Sequence, residues 1–312
     1  MKQFTSVHDV ADPKKLVESA LELKASPYAH KALGKNKTVC LIFLNPSLRT
    51  RLSTQKAAMN LGMEVMVFDI NEDGWKLEFE DGVVMNGDKA EHVKEAVRVV
   101  SLYCDIIGVR TFAGLQNREE DYAERILNQF IQHSSVPVVS LESAIRHPLQ
   151  SLADMITIYE SGIVRPKIAV TWAPHVKPLP QAVGNSFLEW AAAFGWDITL
   201  ANPKGYNPAP EFLRGVKVTH EQAEALDGAD FVYAKSWSSY DRYGKLPGDN
   251  ADWTVTQEKM SLTNNGKFMH CLPLRRNLVA SDSVVDNSIV LKQAENRIFA
   301  AQSVMKEMLE NN

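Results

Sequence analysis

Short apolar runs separated by longer amphipathic stretches constrain this chain more than any other feature. "TVCLIFL" (38–44), "EVMVFD" (64–69), "DIIGVR" (105–110) and "VPVVSL" (136–141) are near-continuous apolar segments of strand length. They read as strands buried on both faces. Helical spacing fills the gaps, from Ser47 to Leu61, from about Lys89 to Tyr103 and from Asp121 to His133. Such alternation builds parallel βαβ units. The rhythm restarts after residue 166 with "KIAVTWA", "DITLANP", "GVKVTH", "DFVYAK" and "GKFMHCL", with "SFLEWAAAFGW" and "EQAEALDG" as helices between strands. At 312 residues the chain is longer than a single core usually supports. The expectation is therefore an α/β protein of two doubly wound parallel-sheet domains, 1–150 and 151–289. "HPLQSLADMITIYESG" (147–162) is read as a bridging helix, and a C-terminal helix of about 290–312 as one that rejoins the first domain.

Charge narrows the partners. Lys+Arg 34 against Asp+Glu 38 gives a formal net charge of −4, with no basic excess to hold nucleic acid or an acidic membrane surface. A small-molecule partner is expected instead. The three cysteines, Cys40, Cys104 and Cys271, lack CxxC or Cys/His spacing, so no metal site is expected and a reducing cytoplasm fits. "MKQFTSVHDVADPKK" carries charge where a signal peptide is apolar, and no segment approaches the ~18 apolar residues of a membrane span.

One stretch is suited to an anion. "NPSLRTRLSTQ" (45–55) follows the first strand and opens a helix, where unpaired N–H groups and the macrodipole favour a phosphate. Ser47, Arg49 and Thr50 add donors, and the planar guanidinium can hold two phosphate oxygens at once. Arg110 in "GVRTF" ends another strand, and "ESAIRHPLQ" puts Glu142, His147 and Gln150 after a third. "MHCLPLRRN" (269–277) ends a strand of the second half with Cys271 and two arginines. In parallel sheets the carboxyl ends of the strands line the ligand crevice.

These residues carry a resemblance to the aspartate/ornithine transcarbamoylase family. "FLNPSLRTR" resembles its Ser-x-Arg-Thr-Arg carbamoyl phosphate motif, "HPLQ" its His-Pro-x-Gln motif and "HCLP" its ornithine-side motif. The motifs stand in matching order over about Lys37 to Glu310. The resemblance implies a carbamoyl phosphate domain, a second domain for the amino substrate, and a homotrimer with active sites at subunit boundaries. It also implies that Ser47, the Leu48 N–H, Arg49 and Thr50 hold the phosphate. Arg297 in "ENRIF" would add charge there, and Trp75 in "DGWKLEF" would reach the neighbouring subunit's site. Thr50, Arg110 and His147 would stabilise the carbonyl oxygen as charge develops. Gln150 and the carbonyls of Cys271 and Leu272 would hold the carbamoyl NH2. No cofactor is needed, because an acyl phosphate is already activated and positioning suffices.

The amine is read from what differs. The Asp-x-x-x-Ser-Met-Gly motif of ordinary ornithine enzymes is missing, and "YAKSWSSYDRYG" (233–244) stands in its place. This resembles the branch acting on N2-acylated ornithine, in which "WAPHVKPLP" (172–180) would form a knotted loop. His175 and Lys235 would face the substrate's α-carboxylate. In relatives that use N2-acetylornithine, the position matching Ala90 in "GDKAEH" carries a glutamate. Ala90 removes that bulk and charge, and Arg275, with Arg276 in reserve, could partner a second carboxylate. The expected substrate is N2-succinylornithine, with N2-acetylornithine the alternative. Glu142 either orients the attacking amine or anchors His147, and Cys271 either assists proton transfer or contributes its backbone alone. A catalytically silent relative should have lost Arg49, Arg110 or His147. A phosphate-sensing module should show a Walker or GxGxxG motif. Neither fits the sequence.

Overall fold

A computed structural model describes residues 1–70, 72–248 and 251–310. They fall into two compact units, one of residues 1–113, 120–149 and Arg297 onward, the other of 114–119 and 150–296. In the first unit the strands are β1 (Gln3–Phe4), β2 (Thr38–Phe43), β3 (Glu64–Asp69), β4 (Leu77–Glu78), β5 (Glu91–His92), β6 (Ile106–Arg110) and β7 (Val138–Glu142). Five form a parallel sheet in the order β1-β7-β6-β2-β3, while β4 and β5 pair in a short parallel ladder of their own. β6 and β7 are buried along their whole length, and β2 in all but its first residue, as their continuous apolar runs require. Gly108 lies where a Cβ would come within 2.8 Å of Leu41, so only glycine lets the core close there.

The helices of this part are α1 (Pro13–Ala25), α2 (Leu48–Leu61), α3 (Val93–Val100), α4 (Arg118–Ala123) and α5 (Arg125–His133). α2 runs from an extended Ser47 cap to Gly62, whose φ of 83° suits glycine alone among common residues. The helix expected over 121–133 is two helices, because Glu124 turns left-handed at φ 46°. The one expected from about Lys89 begins at Val93, since Glu91 and His92 pair as β5 and the His92 ring caps the new helix.

In the second unit β8 (Lys167–Trp172), β9 (Asp197–Ala201), β10 (Lys217–Thr219), β11 (Phe231–Lys235) and β12 (Lys267–Met269) form a parallel sheet in the order β10-β9-β8-β11-β12. Its helices are α6 (Pro148–Tyr159), α7 (Ala182–Ala193), α8 (Gln222–Leu226), α9 (Gln257–Met260) and α10 (Asp282–Asp286). α6 and the terminal α11 (Val290–Glu310) carry the chain from one unit into the other. Residues 311–312 of the expected C-terminal helix lie outside the described residues. Two buried indoles are satisfied by backbone: Trp172 donates to the carbonyl of Trp237 at 2.9 Å, and Trp237 to that of Tyr206 at 2.8 Å. Among the described residues no helix is long and apolar enough to cross a membrane.

Each sheet has one place where strand order reverses. In the first, the chain runs from β2 outward to β3 and returns to β6 on the opposite side of β2. In the second it runs from β8 through β9 to β10 and returns to β11 beside β8. Ligands of open parallel sheets bind at the carboxyl ends of the strands beside such a reversal.

Candidate active site

The reversal in the first unit is where the expected anion residues meet. Ser47 caps α2 in an extended conformation, yet its hydroxyl makes no capping hydrogen bond to its own helix, and no acid occupies the first turn. The N-terminal N–H groups and the Ser47 hydroxyl can therefore serve a ligand. Arg110, at the end of β6, donates through Nη1 to the carbonyls of Asn45 (3.0 Å) and Pro46 (3.1 Å), the two residues before that cap. The same guanidinium donates through Nη2 (2.7 Å) and Nε (3.2 Å) to Oε2 of Glu142, and it lies 5.0 Å from the Phe112 ring centre. A register shift after Val109 sets Arg110 opposite Glu142 on β7. Bulges often re-aim side chains in this way beside active sites. His147 Nε2 stands 3.7 Å from the same carboxylate oxygen. Glu142 thus holds Arg110 by two hydrogen bonds and lies close to His147.

α11 brings Arg297 to the first turn of α2, where Nη2 donates to the buried Thr50 hydroxyl at 2.7 Å. Arg49 follows Leu48 in that turn, half-buried, and Leu48 itself is exposed. Trp75 and Ala90 lie on the segment between β3 and α3. Trp75 is 59% exposed, with its indole donating to Glu91 at 3.1 Å, while the Ala90 N–H donates to the Lys76 carbonyl at 3.0 Å. Lys89 donates to Glu78 Oε1 at 2.8 Å. That hydrogen bond, with the N–H groups of Glu80 and Phe79, holds the Glu78 carboxyl at about 2.

The second unit collects cations at its own reversal. His175 follows β8 and Lys235 ends β11. Burial pushes the His175 pKa down, and the charges of Lys235, Arg275 and Lys177 push it the same way, against a raising hydrogen bond to the Lys177 carbonyl. Arg275 is exposed, whereas Arg276 is committed to Asp282 (3.1 Å) and Asp286 (2.7 Å). Of the two arginines considered from sequence, Arg276 is thus engaged by two carboxylates.

Gln150, Cys271 and Leu272 also belong to this unit, tied together by residues that the sequence reading missed. Gln150 Nε2 donates to Asp154 Oδ1 at 2.7 Å, and Gln293 Nε2 donates to the same oxygen at 2.6 Å. Gln293 Oε1 accepts from the His270 N–H at 3.0 Å, and His270 Nδ1 from the Leu272 N–H at 2.9 Å. Leu272 sits at φ 57°, an uncommon conformation for a leucine, ahead of a cis peptide to Pro273. Asp154 had a legible signal, a lone carboxylate one helical turn after Gln150 in an apolar helix. Gln293 had none, since its partner is 139 residues away.

Comparison with known proteins agrees with both halves. The "Aspartate/ornithine carbamoyltransferase, carbamoyl-P binding domain" matches residues 2–160, and the "Asp/Orn binding domain" of the same family matches 180–308. The N-succinylornithine carbamoyltransferase of Bacteroides thetaiotaomicron is 53% identical over 99% of each chain. The N-acetylornithine carbamoyltransferase of Xanthomonas campestris pv. campestris is 36% identical over 93% of each. A crystal structure of N-acetyl-L-ornithine transcarbamylase superposes with a TM-score of 0.93 at 35% identity, covering 99% of this chain and 100% of its own. It is a glutamate-to-alanine variant complexed with carbamyl phosphate and N-succinyl-L-norvaline. With two family domains matched in order and full-length relatives at this identity, the chain belongs to the aspartate/ornithine carbamoyltransferase family.

Proposed function

We propose that the chain transfers the carbamoyl group of carbamoyl phosphate to the side-chain amine of N2-succinylornithine, releasing phosphate and N2-succinylcitrulline in arginine biosynthesis. The observation that carries the reading is the Arg110 guanidinium, held by Glu142 and laid against the carbonyls of Asn45 and Pro46 beside the Ser47 cap. A phosphate on Ser47, the Leu48 N–H, Arg49 and Thr50, with Arg297 behind Thr50, would present its carbamoyl carbonyl to Arg110. Attack by the amine places negative charge on that oxygen, where preorganised donors from Arg110, His147 and Thr50 act most strongly. The C–O bond to phosphate then breaks, and the same cations that bound the phosphate stabilise it as the leaving group. Cys271 and Leu272 serve through their carbonyls, with Gln150, on the carbamoyl NH2.

The acyl preference rests on Ala90 and on the cations of the second unit. His175 and Lys235 face the α-carboxylate, and Arg275 takes the succinyl carboxylate. Exposed Ala90 presents neither bulk nor charge. The solved glutamate variants complexed with N-succinyl-L-norvaline, in which alanine, valine, serine or proline replaces the glutamate, support the same logic. So does the full-length Bacteroides relative. The reading extends to a cytoplasmic homotrimer in which Trp75 completes a neighbour's phosphate site, in keeping with its exposure and with the absence of disulfides among the three cysteines.

A colorimetric assay for ureido product, with carbamoyl phosphate and each of ornithine, N2-acetylornithine and N2-succinylornithine, tests the proposal. Product is expected chiefly from the succinyl substrate. Chief turnover of N2-acetylornithine would move the assignment to the acetyl reading, and no product from any of the three would refute carbamoyl transfer.

A further inference from the structure

Asp154 is fully buried and is the one carboxylate of α6, whose Gln150, Ser151 and Thr157 are buried beside it. Burying a charge is costly unless it is hydrogen-bonded, and an apolar residue of similar size would pack there without that cost. We infer that Asp154 and Gln293 are positioning residues that fix the acceptors reading the NH2 of the carbamoyl group. The inference rests on the carbamoyl phosphate reading above and assigns roles to two side chains outside it.

An ionised carboxylate only accepts hydrogen bonds, so an amide facing it must present its NH2. Both amides do so, Gln150 at 2.7 Å and Gln293 at 2.6 Å from the same Oδ1. Gln150 thereby turns its Oε1, an acceptor, away from Asp154. Gln293 is left with its Oε1 to accept the His270 N–H at 3.0 Å, and the His270 ring accepts the Leu272 N–H at 2.9 Å. The N–H groups at both ends of the 270–272 turn are thus held inside the unit. The carbonyls of Cys271 and Leu272 are acceptors, and Leu272 stands at φ 57°, an uncommon conformation for leucine. One carboxylate therefore gives both Gln150 and the Cys271–Leu272 turn the polarity of acceptors. A carbamoyl NH2 has two protons to offer such a surface, and a methyl group has none.

The test compares two stable ligands that differ only at that position, phosphonoacetamide, which carries the NH2, and 2-oxopropylphosphonate, which carries a methyl. Their binding is measured by calorimetry to wild type, Asp154→Asn and Gln293→Met. Wild type should prefer the amide by at least tenfold, as expected for hydrogen bonds read by buried acceptors. Both variants should lose about tenfold of that preference, mostly through weaker amide binding, with the KM for carbamoyl phosphate rising and that for the amine little changed. Equal weakening of both ligands would show a merely structural role and overturn the inference. So would a wild type that does not distinguish the two, a comparison that stands even if a variant fails to fold. A wild type that prefers the amide but forms no ureido product would instead remove the proposed function.

Discussion

Thr50, in the first turn of α2, accepts a hydrogen bond from Arg297 of α11 at 2.7 Å, with both side chains buried. The arginine lies 247 residues from its partner and brings a further guanidinium to a helix end already bearing Arg49 and flanked by Arg110. Replacing Arg297 with methionine keeps much of its length and removes the charge. The KM for carbamoyl phosphate should rise about tenfold or more, the cost of a charged hydrogen bond, with a smaller change for the amine. Steady-state kinetics with each substrate varied in turn checks this.

Glu142 holds Arg110 through two hydrogen bonds in a pair whose side chains are only 8% and 10% exposed. Removing one member of a buried pair strands the other, so Glu142→Ala should lose about 3 kcal/mol of stability in urea unfolding. Turnover should fall with it, because Arg110 loses the anchor that aims it. A variant as stable and active as wild type would show that the pair is incidental.

His175 should titrate below the ordinary imidazole value of 6.5, first through burial and then through the charges of Lys235 and Arg275. The sign for stability follows from linkage. Above 6.5 neither state binds the proton, but as pH falls through 6.5 the unfolded chain takes a proton that the folded chain refuses, and stability is lost. His175→Gln should flatten that part of the melting curve against pH. Proton NMR of the imidazole should show a small upward shift in Lys235→Ala.

The segment bearing Ala90 depends on a carboxylate with a depressed pKa. Glu78 sits at about 2 rather than its ordinary 4.5, chiefly through the Lys89 hydrogen bond. Its stabilising effect is complete above 4.5 and is lost as pH falls from there toward 2. Lys89→Ala should return Glu78 toward 4.5 in carbon-13 titration and speed amide exchange over the residues around Ala90. An unchanged Glu78 titration would assign the shift to the backbone N–H groups alone.

The sequence made the two sheets legible because their strands are unbroken apolar runs with helical spacing between them. β2 was bounded within one residue, since Pro46 and Ser47 mark the turn into α2. α1 lies outside that rhythm, yet Asp12, which caps it, and Pro13 at its first position announce it. β1, β4 and β5 left no trace, because a two-residue strand has no period to read. In the site, Ser47, Arg110, Glu142 and Lys235 could be placed because each ends a strand or opens a helix. Arg297 was brought to the Thr50 turn by resemblance alone, and the Asp154–Gln293 bond was not foreseen, since each pair is more than a hundred positions apart. Such pairings are made by tertiary packing and leave no local pattern.

Acyl selectivity bears most directly on the proposed reaction. The measurement is kcat/KM for N2-succinylornithine and N2-acetylornithine, in wild type and in Ala90→Glu. Wild type should favour the succinyl substrate, and Ala90→Glu should shift the ratio toward the acetyl substrate by about tenfold or more, because a glutamate there repels the second carboxylate. A wild type that prefers N2-acetylornithine, or an Ala90→Glu variant whose ratio does not move, would contradict the proposal.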